Sequence, residues 1–174
     1  RVPSGYYNAM IHPIRKFASR GVIWYQGERN SLTTRESLEY RKFFPLMIES
    51  WRDAFEDPNL PFLFVQLPRM SDRNPRDMPA LRESQLHTDR TIPHTGMVVS
   101  VDVGNEVGLH PQLKKPIGLR LAKLARGQVY GEKIPIAGPR FKEFSVEKAE
   151  LTIRFENLPS GLKTEDGNPP TEFT

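Results

Sequence analysis

Three short apolar runs, each followed by residues at helical spacing, constrain the fold of this chain more than any other feature. The runs are Gly21-Val22-Ile23-Trp24-Tyr25, Pro61-Phe62-Leu63-Phe64-Val65-Gln66-Leu67 and Gly96-Met97-Val98-Val99-Ser100-Val101-Asp102-Val103. Each is closed by polar residues, proline or glycine. Continuous runs of this length suit strands buried on both faces, as in a parallel sheet. Between the first two, a helix is predicted over Thr34–Phe55, where Leu38, Phe44, Ile48, Trp51 and Phe55 make one apolar face. Asp57-Pro58-Asn59 stops it. A shorter helix is predicted over 80–87, with Pro79 near its start, where a missing N–H costs nothing. A third begins near Pro116, presents Ile117, Leu121, Leu124 and Val129, and meets a stop signal at Gly131. Strand and helix alternating three times predict an α/β layered fold with right-handed crossovers.

The pattern changes after Gly138-Pro139. Leu151, Ile153 and Phe155 alternate with Thr152 and Arg154, which predicts a half-buried strand followed by turn residues. The expected division is a first domain over 1–137 and the start of a β-rich region over 138–174.

Composition removes several kinds of chemistry. With no cysteine in 174 residues, disulfides, thiolate metal sites and a cysteine nucleophile are excluded. The net charge of +4 arises from 25 basic and 21 acidic residues. The two signs interleave, as in Arg73-Asn74-Pro75-Arg76-Asp77, without the basic, aromatic-studded stripe of a nucleic-acid binder. A solvated basic surface is the simpler reading, and no nucleic-acid partner is expected. No run approaches the roughly 18 apolar residues of a membrane span, so no membrane insertion is expected. The four histidines lack metal-site spacing and the glycines lack a phosphate-loop order, so neither a metal nor an organic cofactor is expected.

In an open parallel sheet, ligands sit beyond the carboxyl ends of the strands. Gln26-Gly27-Glu28-Arg29-Asn30 follows the first run, and Asp102 through Glu106 to His110 follows the third. One rim would then carry amides, a glycine N–H, carboxylates and a histidine. Acyl transfer needs those parts. Gly27 and Asn30 can offer neutral donors to a tetrahedral oxyanion, and His110 can serve as a base titrating near neutrality. The alternative is a solvated turn with a histidine that merely precedes Pro111.

The decade Gly21 to Asn30 resembles the signature of the sialate O-acetylesterases, members of the SGNH-hydrolase superfamily that are similar to acetylxylan esterases. So do Tyr7-Asn8-Ala9-Met10-Ile11 with Pro13, Trp51-Arg52, Leu60-Pro61-Phe62 through Leu67, and Leu81-Arg82-Glu83-Ser84-Gln85. Asp102-Val103-Gly104, His110-Pro111, Gly118 with Arg120-Leu121-Ala122, and Gly138-Pro139 extend the likeness over nearly the whole chain.

The resemblance implies a partial flavodoxin-like three-layer sandwich and an enzyme that removes acetyl groups from sugar hydroxyls through a serine acyl-enzyme. An acetylated carbohydrate, sialic acid first, would be the partner. It implies that Gly27 and Asn30 help build the oxyanion site and that His110 is the base. It further implies a secreted, periplasmic or lysosomal setting. An acetylxylan esterase and a non-catalytic carbohydrate-binding relic of the same fold are the rival readings.

Three departures stand out. The serine block of the family is absent; Ser31 and Ser84 come nearest, but neither has the sharp turn of small residues. The expectation is that the block lies upstream of Arg1, leaving this stretch alone inactive. Position 29 is Arg where the family more often has a small residue, which places a cation on the rim of the site, either to attract an anionic sugar carboxylate or to point to solvent; Gln26 and Arg29 are the substrate-binding candidates. Positions 107 and 108 are Val and Gly where the superfamily carries the triad acid. Glu28 is the first choice for that acid, with Glu106 and Asp102 as alternatives.

Overall fold

A computed structural model describes residues 4–70, 76–104, 112–157, 162, 167 and 168. Three parallel strands lie side by side in the order β1 (Val22–Trp24), β2 (Phe62–Val65) and β3 (Thr95–Val98). Ile23 stands opposite Leu63, and Leu63 opposite Gly96. α1 (Thr34–Phe55) and α2 (Met78–Thr91) connect them, and α3 (Lys115–Gln128) follows β3. This is the expected α/β architecture.

The period-2 alternation of β2 explains the layers. Phe62 and Phe64 enter a core with Tyr40, Phe44 and Ile48 of α1 and Leu81 of α2. Leu63 and Val65 point to the other face and are also buried. There α3 contributes Ile117, Leu121 and Leu124, and packs on β2 and β3. A Cβ on Gly96 would meet Leu124 and Gln128, so α3 lies directly on that strand. α3 does not extend over β1. Ile23, the one β1 residue on that face, is 66% exposed, and the outer edge of β1 pairs with no strand among the described residues.

Local chemistry sets the helix ends. The Thr33 hydroxyl caps α1, accepting the Glu36 N–H at 3.1 Å and donating to the Glu36 carboxylate at 3.1 Å. Glu56 closes α1 in the left-handed region, with φ of +56°. Asp77 caps α2 by accepting the Ala80 N–H at 3.0 Å, so this helix runs from Met78 to Thr91, longer at both ends than expected.

Two expectations are corrected. Leu38 is 48% exposed, and Tyr40 takes its place in the core because its hydroxyl finds partners there. The third run leaves the sheet after Val98, and Val101–Val103 forms a 3-10 turn. The Ser100 hydroxyl donates to the Gln66 carbonyl at 2.6 Å, drawing the backbone off the strand path.

The chain divides into two compact units, 1–134 and 135–174. In the second, β4 (Arg140–Glu147) and β5 (Glu150–Glu156) form an antiparallel hairpin with an irregularity between Phe141 and Glu143. Ile153 and Phe155 are half-buried as expected, while Leu151 is exposed. Among the described residues, no helix is long and apolar enough to cross a membrane.

Candidate functional site

Because the strands are parallel, the residues that follow them emerge on one rim, and buried polar side chains bind those loops together. The Gln85 amide, on α2, is fully enclosed. It accepts the Leu67 N–H at 2.9 Å and donates to the carbonyls of Val65 (3.1 Å) and Gln26 (3.4 Å). That ties the loop after β1 to the loop after β2. Ser100 and Gly104 tie the second loop to the third. Gly104 lies so close to the Arg69 carbonyl that a Cβ there would overlap it.

Gly27 sits just beyond β1 with φ of +148°, where a side chain is strained. A Cβ would also press on Leu81 and Leu67, at 3.0 and 3.2 Å. Its N–H lies past the last sheet residue and is not spent on the strand ladder. Glu28–Ser31 then turns as a 3-10 helix. The Asn30 N–H donates to the Gly27 carbonyl at 2.9 Å, which fixes the turn; the Ser37 hydroxyl donates to the Asp77 carbonyl at 3.0 Å and shares that proton with the Asn30 carbonyl at 3.3 Å.

Glu28 is fixed through its carbonyl, which accepts from Arg76 Nη1 at 2.7 Å and from the Ser31 hydroxyl at 2.8 Å. Its carboxylate forms no ion pair among the described residues, and its charge is felt at both Tyr25 and Tyr40. Burial pushes both phenols above their ordinary value, and the nearby Glu28 charge adds to the effect. The Tyr25 hydroxyl is enclosed beside Ser100 without a well-formed hydrogen bond among the described residues, and the Lys114 ammonium stands 4.6 Å from the Tyr25 ring centre. Residues from the first and third loops and the entry to α3 therefore meet above the sheet.

Asp102 is differently placed. Arg120 grips both its oxygens, at 2.7 and 2.5 Å, and that hydrogen-bonded pairing holds the Asp102 carboxyl below its usual range. Arg29 is exposed and forms no ion pair among the described residues. Gln26 turns inward: its Oε1 accepts from the Tyr40 hydroxyl at 3.1 Å and its Nε2 donates to Asn30 Oδ1 at 3.0 Å. His110 and Glu106 lie outside the described residues.

The two serines nearest to a nucleophile block are both fully buried. Ser31 donates to the Glu28 carbonyl, and Ser84 donates to the carbonyls of Ser37 (2.7 Å) and Ala80 (3.0 Å). Neither hydroxyl can reach a substrate. Sequence reasoning gave no role to Tyr40, Trp24 or Gln85. Their signal is a polar or amphipathic residue on an otherwise apolar helix or strand face, which periodicity alone scores as surface. A separate cavity of about 270 Å³ opens at the other end of the sheet, among residues such as Lys16, Phe17, Phe55 and Glu56. It precedes β1 and β2, away from the rim that gathers the site chemistry. The convergent polar groups locate the candidate site more securely than that hollow does.

Residues 2–126 match the carbohydrate esterase family described as sialic acid-specific acetylesterase. The mouse sialate O-acetylesterase is 35% identical over 159 residues, covering 80% of this chain and 29% of the mouse protein. The human sialate O-acetylesterase is 33% identical over 152 residues, covering 76% of this chain and 29% of the human protein. The crystal structure of a carbohydrate acetylesterase from Xanthomonas citri superposes with a TM-score of 0.81 at 39% identity, covering 88% of this chain and 36% of that one. An Arabidopsis thaliana protein shares the fold at a TM-score of 0.55 and 21% identity. The chain thus spans about a third of the length of these acetylesterases. With the turn at Gly27, the parallel sheet beneath it and a match over most of its length, this chain belongs to the sialic acid-specific acetylesterase family of carbohydrate esterases.

Proposed function

We propose that the whole protein hydrolyses O-acetyl esters of a carbohydrate, with acetylated sialic acid as the leading substrate. A serine oxygen attacks the acetyl carbonyl, and His110 takes its proton. The tetrahedral oxyanion is received by the Gly27 N–H and the Asn30 amide. The bond from the carbonyl carbon to the sugar oxygen breaks, and His110 returns the proton to that oxygen. Water repeats the sequence on the acyl-serine and acetate leaves. Glu28 orients the imidazole and Arg29 lies on the sugar side, while the Gln26 side chain, taken up by Tyr40 and Asn30, backs the turn instead of meeting the sugar. The setting is secreted, periplasmic or lysosomal.

The observation that carries this reading is the Gly27–Asn30 turn. A backbone conformation suited only to glycine and an anchored amide sit together beyond the carboxyl end of β1. Arg29 beside them, exposed and without an ion pair among the described residues, supports an anionic sugar over a neutral one. The acylated serine is neither Ser31 nor Ser84, since both hydroxyls are buried and bonded to carbonyls.

Acetate release from 9-O-acetylated sialic acid and from acetylated xylan tests the reading, with His110→Ala as control. The expected result is turnover of the sialic acid ester, abolished in the control. Arg29→Ser is expected to raise KM for the anionic ester severalfold and to leave an uncharged acetyl ester unaffected. Preference for xylan would move the substrate to the acetylxylan class. No turnover of either ester would favour a binding relic.

A further inference from the structure

The loop after β1 contains a chain of hydrogen bonds whose direction is set at its far end. The Trp24 indole N–H points at the Tyr40 hydroxyl, 3.3 Å away. An indole nitrogen can only donate, so the Tyr40 oxygen accepts there and must send its own proton elsewhere. Both acceptors in reach belong to Gln26: its Oε1 at 3.1 Å and its backbone carbonyl at 3.4 Å. The carbonyl already receives the Gln85 amide, so the nearer side-chain oxygen takes the Tyr40 proton. Gln26 must then turn Nε2 toward Asn30, which answers with Oδ1 at 3.0 Å.

The last link has a chemical consequence. With Oδ1 occupied, the Asn30 Nδ2 hydrogens have no acceptor among the described residues, and this atom is not among the enclosed polar atoms left unbonded. It therefore reaches solvent on the rim. Were Gln26 reversed, Asn30 would reverse with it and show a carbonyl oxygen to the site, which would repel an oxyanion. We infer that Trp24, Tyr40 and Gln26 are positioning residues that hold the Asn30 amide with its NH2 group outward, as a preorganised anion donor. The inference rests on the acyl-transfer reading of Asn30.

The relay is well placed for that task. Tyr40 is 4% exposed, and Phe44 stacks on its ring at a centroid distance of 5.1 Å. Trp24 is wedged between Phe44 and Trp51, at 6.2 and 5.8 Å. Burial makes the Tyr40 phenol hard to ionise, so its proton stays in the relay through the working pH range. Rigid aromatic packing thus sets the direction of a polar chain that ends in the site. A preorganised donor is what transition-state stabilisation requires, because no reorientation is needed as charge develops.

The test is a double-mutant cycle in the whole protein, read as kcat and KM for acetate release. Asn30→Ala is expected to lower kcat about a hundredfold with little change in KM, as for loss of one oxyanion donor. Tyr40→Phe keeps the ring and removes the hydroxyl. It is expected to lower kcat about tenfold alone, on the scale of one hydrogen bond, and to add nothing in the Asn30→Ala background. Gln26→Glu offers Asn30 an acceptor in place of a donor and is expected to fall to the Asn30→Ala level. Equal Tyr40→Phe losses in both backgrounds, or full activity in Gln26→Glu, would overturn the relay while leaving Asn30 as a donor. Full activity in Asn30→Ala would instead overturn the oxyanion reading itself.

Discussion

Glu28→Gln in the whole protein is expected to lower kcat by about ten-thousandfold, the scale seen when a histidine base loses its orienting carboxylate. Asp102→Asn and Glu106→Gln are expected to leave kcat within a few fold. Asp102 and Glu28 differ in what their carboxylates are already doing. Both Asp102 oxygens are held by Arg120, and its carboxyl is stabilised as the anion by that pairing. To orient an imidazole, Asp102 would first have to give up a bidentate charge-assisted contact. Glu28 carries no such obligation among the described residues. Its backbone is pinned by Arg76 and Ser31, while its side chain lies within electrostatic reach of Tyr25 and Tyr40 above the sheet. A fixed backbone with an uncommitted carboxylate is what an orienting group needs. Steady-state kinetics with matched thermal melts separates the outcomes. A loss in Asp102→Asn as large as in Glu28→Gln, at unchanged melting temperature, would reassign the acid.

The legible parts of this fold were those written in local chemistry. The continuous apolar runs mark the three strands, because β2 and β3 are buried on both faces and β1 pairs along β2 with Val22 and Trp24 turned to the core. α1 was bounded correctly since its end signals, Thr33 with Glu36 and the Asp57-Pro58-Asn59 stop, lie within a few residues of its ends. Contacts between distant positions were not legible. Val101–Val103 reads as strand until the Ser100 hydroxyl is seen bonding to Gln66, 34 positions earlier. Tyr40 reads as a break in the apolar face of α1 until Trp24 and Gln26 supply partners for its hydroxyl. The site divides the same way. Gly27 and Asn30 are candidates from their types and their place after a strand. The direction of the Asn30 amide depends on partners across the core, which no spacing rule encodes. His110, chosen on the same positional reasoning as Gly27, lies outside the described residues.

Arg52→Met is expected to destabilise this chain by about 3 kcal/mol, a large share of the roughly 5–15 kcal/mol that holds a typical domain. Arg52 is only 6% exposed, a place where a cation survives only when its donors are used. They are used on backbone. Nε donates to the Leu60 carbonyl at 3.1 Å, and Nη2 donates to the carbonyls of Pro93 (2.8 Å) and His94 (3.2 Å). The guanidinium also lies 5.9 Å from the Phe62 ring centre. One side chain near the end of α1 therefore joins the entries to β2 and β3, whose register the sheet depends on. The His94 carbonyl keeps the Phe62 N–H when Arg52 is lost, so the penalty falls mainly on Leu60 and Pro93. Methionine fills similar space and supplies no donor, which isolates the polar term from a cavity. Arg52→Lys is expected to recover less than half the loss, because one ammonium cannot match the spread of the guanidinium fork. Urea unfolding should show a lower midpoint at unchanged m-value in both variants. A midpoint for Arg52→Met within error of the parent would mean that water replaces these bonds at no cost and that the aromatic packing alone fixes the strand entries.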